Sequence, residues 1–246
     1  MSPSNRERVG LALIAIAVVC TIWLAIAGKL TLYIHPRYLV FTVLMAFVAL
    51  VLIAAAFTAP KHADPVRRRR VGLASIAGVV VAGVVAGGML VLPPATLTTA
   101  TADQRALNST TIGAEAQSVE SASTQSGAAF ARFTVVDWAS VLRQTSDPAF
   151  YSGKSVDVVG FITGSDDDPQ NIYYVSRFII TCCAVDAQPV GVAVYQPGWS
   201  AALAEGDWVH LKGEFAASPS TAGGPSIVLR PDATESVEEP SEPYLY

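Results

Sequence analysis

The sequence predicts two parts of different class: a membrane α-helical region with three spans over residues 1–92, and an all-β domain over residues 130–232. Three observations carry this division. Long uncharged runs crowd the first 92 residues, the charge changes sign partway along the chain, and the distal part alternates apolar and polar residues in short runs bounded by glycine, proline and acids. Only 15% of the 246 residues are charged and 52% are hydrophobic, a balance that points to membrane spans in a chain of this length. Residues 1–129 hold ten Lys/Arg and five Asp/Glu, net +5, whereas residues 130–246 hold six and fifteen, net −9. A net-negative distal half argues against nucleic acid as its partner, because neutralising phosphates requires a basic surface. Three cysteines make no disulfide framework.

The first span, residues 9–27, carries no charge and is close to the ~20 residues needed to cross a hydrocarbon core. It is long for the apolar core of a signal peptide and a second span follows at once, so it is expected to be retained. The second span, residues 39–59, is also uncharged. The third, residues 71–92, is lighter, with Gly72, Gly78, Gly83, Gly87 and Gly88 among Val and Ala. Gly83 and Gly87 form a small-xxx-small pair, which fits either a helix-packing face or a weakly apolar span. Lys61 and the run Arg67, Arg68, Arg69, Arg70 lie between spans two and three, against only Lys29 and Arg37 between spans one and two. The more basic loop belongs in the cytoplasm. The chain is therefore expected as a multi-pass protein of the cell membrane, in contact with lipid, its N-terminus cytoplasmic and its C-terminal domain extracytoplasmic. The arginine run also suits an anionic-lipid or nucleic-acid patch, but its position against a span favours a topology signal.

Residues 93–129 are small and polar without apolar periodicity, and read as a flexible linker. Asn108-Ser109-Thr110 within it is a glycosylation pattern. In the β domain, Asp137 to Thr145 opens with a capping residue and places Trp138, Val141 and Leu142 on one helical face. Strands are expected over residues 155–164, 172–181, 189–195, 207–215 and 226–230, with a short helix over 199–206 closed by Gly206. Three strands, a helix and two strands is the order of a small OB-like barrel. Asp166, Asp167 and Asp168 fall at the first turn. They lack the spaced ligands of a calcium loop and are expected as a solvated hairpin turn. The tail, residues 233–246, is acidic and ends in an aromatic cluster expected to pack back on the barrel.

The stretch richest in chemistry runs from Arg177 to Gly191, with Cys182 and Cys183 side by side and Asp186 three residues on. In an uninterrupted strand the two thiols point to opposite faces and cannot share an ion. If the strand stops at Thr181 and the chain turns, both sulfurs and Asp186 converge. Three readings of the pair stand together. Thiolates are preferred ligands of a transition-metal ion such as zinc, with Asp186 assisting and His210 on the fourth strand as a further ligand. An adjacent-cysteine disulfide would be strained and easily reduced, hence redox-active. Buried cysteines also serve as small apolar residues. A Cys–His hydrolase is disfavoured, since His210 is the sole histidine of this domain and no orienting acid is evident, so no catalytic residue is assigned.

Two signatures carry a resemblance. Gly28 to Tyr38 (GKLTLYIHPRY, with Gly28, Tyr33 and Pro36) and residues 177–191 (RFIITCCAVDAQPVG, with Arg177, Phe178, Thr181, Asp186, Pro189 and Gly191) are similar to the YcgQ-type family of permease subunits. The Gly206-to-Gly213 strand is similar too. The resemblance implies a non-enzymatic accessory subunit of a membrane permease complex, accompanying a larger polytopic permease. Its outer domain would capture or gate a ligand; alternatives are a cell-surface thiol–disulfide protein or an envelope protein-interaction module.

Overall fold

Residues 3–58, 83–84, 87–88, 96–109, 117–125 and 127–246 are described by a computed structural model. The chain divides into two units, Met1–Ala95 and Thr96–Tyr246. In the first, helix α1 (Pro3–Ile26) and helix α2 (Leu39–Thr58) lie in contact. Each contains a stretch long and apolar enough to cross a membrane, Val9–Ile26 and Pro36–Thr58. The expected third span and the run Arg67–Arg70 lie outside the described residues, apart from 83–84 and 87–88.

The turn between α1 and α2 accounts for the first signature. Gly28 sits at φ +69°, a left-handed conformation that glycine adopts without steric cost. It lets Lys29 N–H reach Leu24 O (2.9 Å) while Gly28 N–H bonds Ala25 O (3.1 Å), the paired closure that ends many helices. Two 3-10 turns follow, Leu30–Leu32 and Pro36–Tyr38. Tyr33 closes the first by donating its N–H to Leu30 O. Pro36 opens the second, where no backbone donor is needed.

The second unit is built on a six-stranded sheet. Its strands are β1 (Ser155–Gly164), β2 (Ile172–Ile179), β3 (Gln188–Tyr195), β4 (Trp208–Ala217), β5 (Ile227–Ser236) and β6 (Tyr244–Leu245). The order is β1-β4-β5-β3-β2-β6, and β1 also pairs with β2. Most pairings are antiparallel; β3 meets β5 in parallel at Val194 and Leu229, and β6 runs parallel to β2. Val156, Val158, Ile162, Tyr173, Val175, Val192, Val194, Val209, Leu211 and Leu229 form one buried cluster, as period-two alternation requires.

One helix supplies the largest fully buried side chain of that cluster. Val135–Gln144 is capped by Thr134, whose hydroxyl accepts Asp137 N–H while the Asp137 carboxylate accepts Thr134 N–H. Asp137 is therefore the third helical residue of a capping box, and the cap itself, Thr134, lies three residues before the one expected from sequence. Trp138 and Val141 are fully buried. The Trp138 ring packs on Phe130 (5.6 Å), Phe133 (4.9 Å) and Phe215 (5.0 Å). Val136 and Ala139 turn instead toward Ile179, Val190 and Leu245, so the helix also braces the far end of β2.

Several expectations change. The stretch anticipated as a linker contains the short helices Thr99–Asp103 and Val119–Ser123, and the second unit begins at Thr96. Hydrogen bonds hold it there where apolar surface is scarce. Leu97 N–H donates to Tyr244 Oη (2.7 Å), and Asn108 bonds β3. The helix expected over 199–206 is a single 3-10 turn, Trp199–Ala201, because the Asp207 carboxylate takes Ala204 N–H (2.8 Å) and stops propagation. Asp168 is buried, accepting from Asn171 Nδ2 (2.8 Å) and Ser220 Oγ (2.5 Å), so only Asp166 and Asp167 form the solvated part of that turn. The aromatic tail packs back as expected: Tyr244 is buried and β6 joins the sheet.

At the bulge between Lys212 and Gly213 the strands pass too closely for a side chain. A Cβ on Gly213 would stand 2.1 Å from the Arg230 carbonyl oxygen. Gly213→Ala is expected to destabilise the β unit by about 1–3 kcal/mol, read as a lowered urea midpoint of the full chain in detergent. An unchanged midpoint would contradict the close approach.

Candidate metal centre

Strand β2 stops at Ile179 because the pairing beyond it changes. Ile180 N–H donates to Leu245 O of the tail (2.9 Å), and from Thr181 the chain turns away. The Asp186 carboxylate closes that turn. Its Oδ1 accepts Thr181 N–H (3.2 Å), and its Oδ2 accepts the N–H groups of Cys182 (2.8 Å) and Cys183 (3.3 Å). Cys183 in turn precedes the 3-10 turn Ala184–Asp186, its carbonyl oxygen accepting Asp186 N–H (2.9 Å). The two cysteine sulfurs and an Asp186 carboxylate oxygen consequently lie within 4.8 Å of one another. Cys182 is exposed and Cys183 half-buried. The chain thus turns where the thiols must turn to converge.

The fourth expected ligand stands elsewhere. His210, on β4 opposite Val159, places Nε2 2.5 Å from Asp157 Oδ1, and Lys212 Nζ lies 3.5 Å from Asp157 Oδ2. The cluster of three does not include His210. An acid orients this histidine after all, which the sequence hid because Asp157 and His210 are 53 residues apart. An open cavity of about 870 Å³, lined by Arg105, Thr163, Asp166, Trp199 and Glu205 among others, includes none of the three converging residues. With Cys182 exposed, the cluster is presented on a surface turn.

The remaining signature residues hold this turn in place. Arg177 is buried, and its guanidinium donates to the carbonyls of Pro243 (2.9 Å), Glu242 (2.6 Å) and Val159 (3.2 Å) while lying over the Trp208 ring. Burial pulls its pKa below the usual arginine value, partly offset by Glu239 and Glu242. Phe178 stacks on Phe161 at 5.2 Å and meets Tyr244 edge-on. Pro189 O accepts Asn108 N–H (3.1 Å). Gly191 exchanges two hydrogen bonds with the Asn108 side chain (2.9 and 3.0 Å), and a Cβ there would meet Ser176 Oγ at 2.6 Å.

Two contributing residues were not legible in the sequence. Asn108 read as a glycosylation acceptor, but its amide nitrogen is committed to Gly191 O. Arg105 read as part of the linker, yet its Nη2 donates to Val185 O (3.1 Å) inside the cysteine turn. No periodicity marks either residue.

Burial alone raises the Asp157 carboxyl, but the hydrogen bond and charge of His210 and the charge of Lys212 outweigh it and hold the group below the usual carboxylate range. A carboxyl lowered in the folded state contributes stability that is present above its unfolded value, about 3.9. That contribution is lost as pH falls through the folded value. Carbon-13 NMR titration is expected to place Asp157 below that reference, and His210→Ala to move it upward. Titration of Asp157 at or above the reference in the unsubstituted protein would contradict the pairing.

No curated protein and no solved structure matches the chain. Residues 110–246 match the family described as the DUF1980 C-terminal domain. That match takes in all six strands, the cysteine turn and the anchored tail, and the chain belongs to the DUF1980 C-terminal domain family.

Proposed function

We propose that the chain is a non-enzymatic accessory subunit of a membrane permease complex whose outer domain captures or gates a transition-metal ion. The convergence of Cys182, Cys183 and Asp186 within 4.8 Å carries the metal reading. Thiolates select soft and borderline ions, and a surface turn suits exchange better than catalysis, which favours enclosed clefts. A disulfide between the two is disfavoured by geometry. Neighbouring Cα atoms are about 3.8 Å apart across a trans peptide, short of the roughly 4.4–6.8 Å that unstrained disulfides span.

The scaffold reading follows the pairings. Because β1 pairs with both β4 and β2, five strands form a closed circuit, β1-β4-β5-β3-β2, which supports an OB-like barrel. The two signatures support the YcgQ-type relationship and, with it, a polytopic permease as partner. Residues 9–27 and 39–59 carry no charged side chain, and apolar helices of that kind offer no polar pathway of their own, which motivates that partner. Three spans with the N-terminus in the cytoplasm would place the β unit outside.

Full-length tagged protein, extracted in mild detergent under reductant, is expected to bind one metal ion per chain in titrations with zinc, nickel and Cu(I), and to carry a polytopic permease through affinity purification. Cys182→Ser with Cys183→Ser should abolish the metal uptake. Equal uptake by the double variant would refute the metal site, and elution without any polytopic protein would refute the permease association.

A further inference from the structure

Most of the acceptor capacity of the Asp186 carboxylate is already in use. The group offers about four acceptor positions, and three successive backbone amides, those of Thr181, Cys182 and Cys183, use three of them. Drawing this carboxylate onto a metal would take the acceptor from three backbone donors, two at the surface and the half-buried one of Cys183. It would also release the turn that brings the sulfurs together. Asp186 and the sulfurs therefore play different parts, and the donor set offered to an ion reduces to two thiolates. His210 adds nothing, since its Nε2 is held by Asp157.

We propose, building on the metal reading above, that the turn holds a thiophilic monovalent ion of the Cu(I) class between the sulfurs of Cys182 and Cys183 alone, with Asp186 as a positioning residue. Zinc seeks four ligands in tetrahedral array, and this turn supplies half of them. A closed-shell, soft monovalent ion prefers thiolates and is satisfied by two. Sulfurs that lie within 4.8 Å of each other are bridged by two metal–sulfur bonds of about 2.3 Å each. Binding exchanges protons for metal: two S–H bonds break, two protons pass to solvent, two metal–sulfur bonds form, and no electron is transferred.

The surroundings suit such a complex. The Arg105 guanidinium sits on the Val185 carbonyl of the same turn, and its Nη1 is buried with no hydrogen-bond partner. A fixed positive charge there offsets the net negative charge of a bis-thiolate ion. Cys182 lies at the surface, so an incoming donor reaches the ion for exchange.

The test uses the full chain in detergent on a Cys20→Ser background, which leaves Cys182 and Cys183 as the only cysteines. Cu(I) buffered by a chromophoric chelator and Zn(II) are titrated separately, and the loaded Cu(I) form is measured by X-ray absorption. The expected result is one Cu(I) per chain, sulfur scatterers only, and Zn(II) at least about 100-fold weaker. Asp186→Asn, which retains one carbonyl oxygen, should lower Cu(I) affinity by about 10-fold, as loss of a supporting residue does, with the sulfur-only spectrum unchanged. Oxygen or nitrogen scatterers that vanish in Asp186→Asn, or Zn(II) bound as tightly as Cu(I), would overturn the two-thiolate assignment while leaving a metal site in place. Failure of both ions to bind would overturn the metal reading itself.

Discussion

Three backbone amides in a row share one acceptor, the Asp186 carboxylate, and the candidate site depends on that arrangement. Amides of consecutive extended residues point alternately to either side of a strand, as their side chains do. They can converge on a single carboxylate only if the strand has ended. The same turn that satisfies the amides therefore brings together two sulfurs that an extended chain would hold apart. Hydrogen bonds to a charged acceptor are stronger than neutral ones, at about 1.5–3 kcal/mol each. The arrangement is thus a stable one even on an exposed surface.

The rest of the β unit can be read as support for that turn. The Arg177 guanidinium grips the carbonyls of Glu242 and Pro243, which seats β6 beside the end of β2. Leu245 O then accepts the last amide before the turn. The helix Val135–Gln144 packs Val136 and Ala139 against the same place. On the other side, Asn108 pins Gly191 just beyond the turn, and Arg105 fastens the turn itself through Val185 O. Residues from three distant parts of the chain thus meet around a segment of six. The signature residues Arg177, Phe178, Pro189 and Gly191 make their contacts with the tail, with β1 and with Asn108, on the strands that flank the turn.

The strands were legible from the sequence because period-two alternation and turn residues are local signals. Residues 155–164 and 189–195 show it, with Gly, Pro and Asp at their ends. The convergence of the two sulfurs was legible only as a condition, since whether the chain turns at Thr181 depends on what Asp186 accepts and on the tail across from Ile180. Long-range partners left no trace: His210 with Asp157, Arg177 with Glu242, and Asn108 with Gly191 are each set by sheet register or by wrapping of the chain. The segment 96–109 was misread for a related reason. Its small polar residues bury little surface, and it is held by hydrogen bonds to β3, the tail and the cysteine turn, which composition does not reveal.

Amide hydrogen exchange at Thr181, Cys182 and Cys183, compared between the unsubstituted chain and Asp186→Ala, measures the central interaction directly. The carboxylate-closed turn predicts that all three amides are protected and that all three lose protection together in the variant, while the amides of β2 keep theirs. Fast exchange at these positions in the unsubstituted protein, or protection that survives Asp186→Ala, would contradict it.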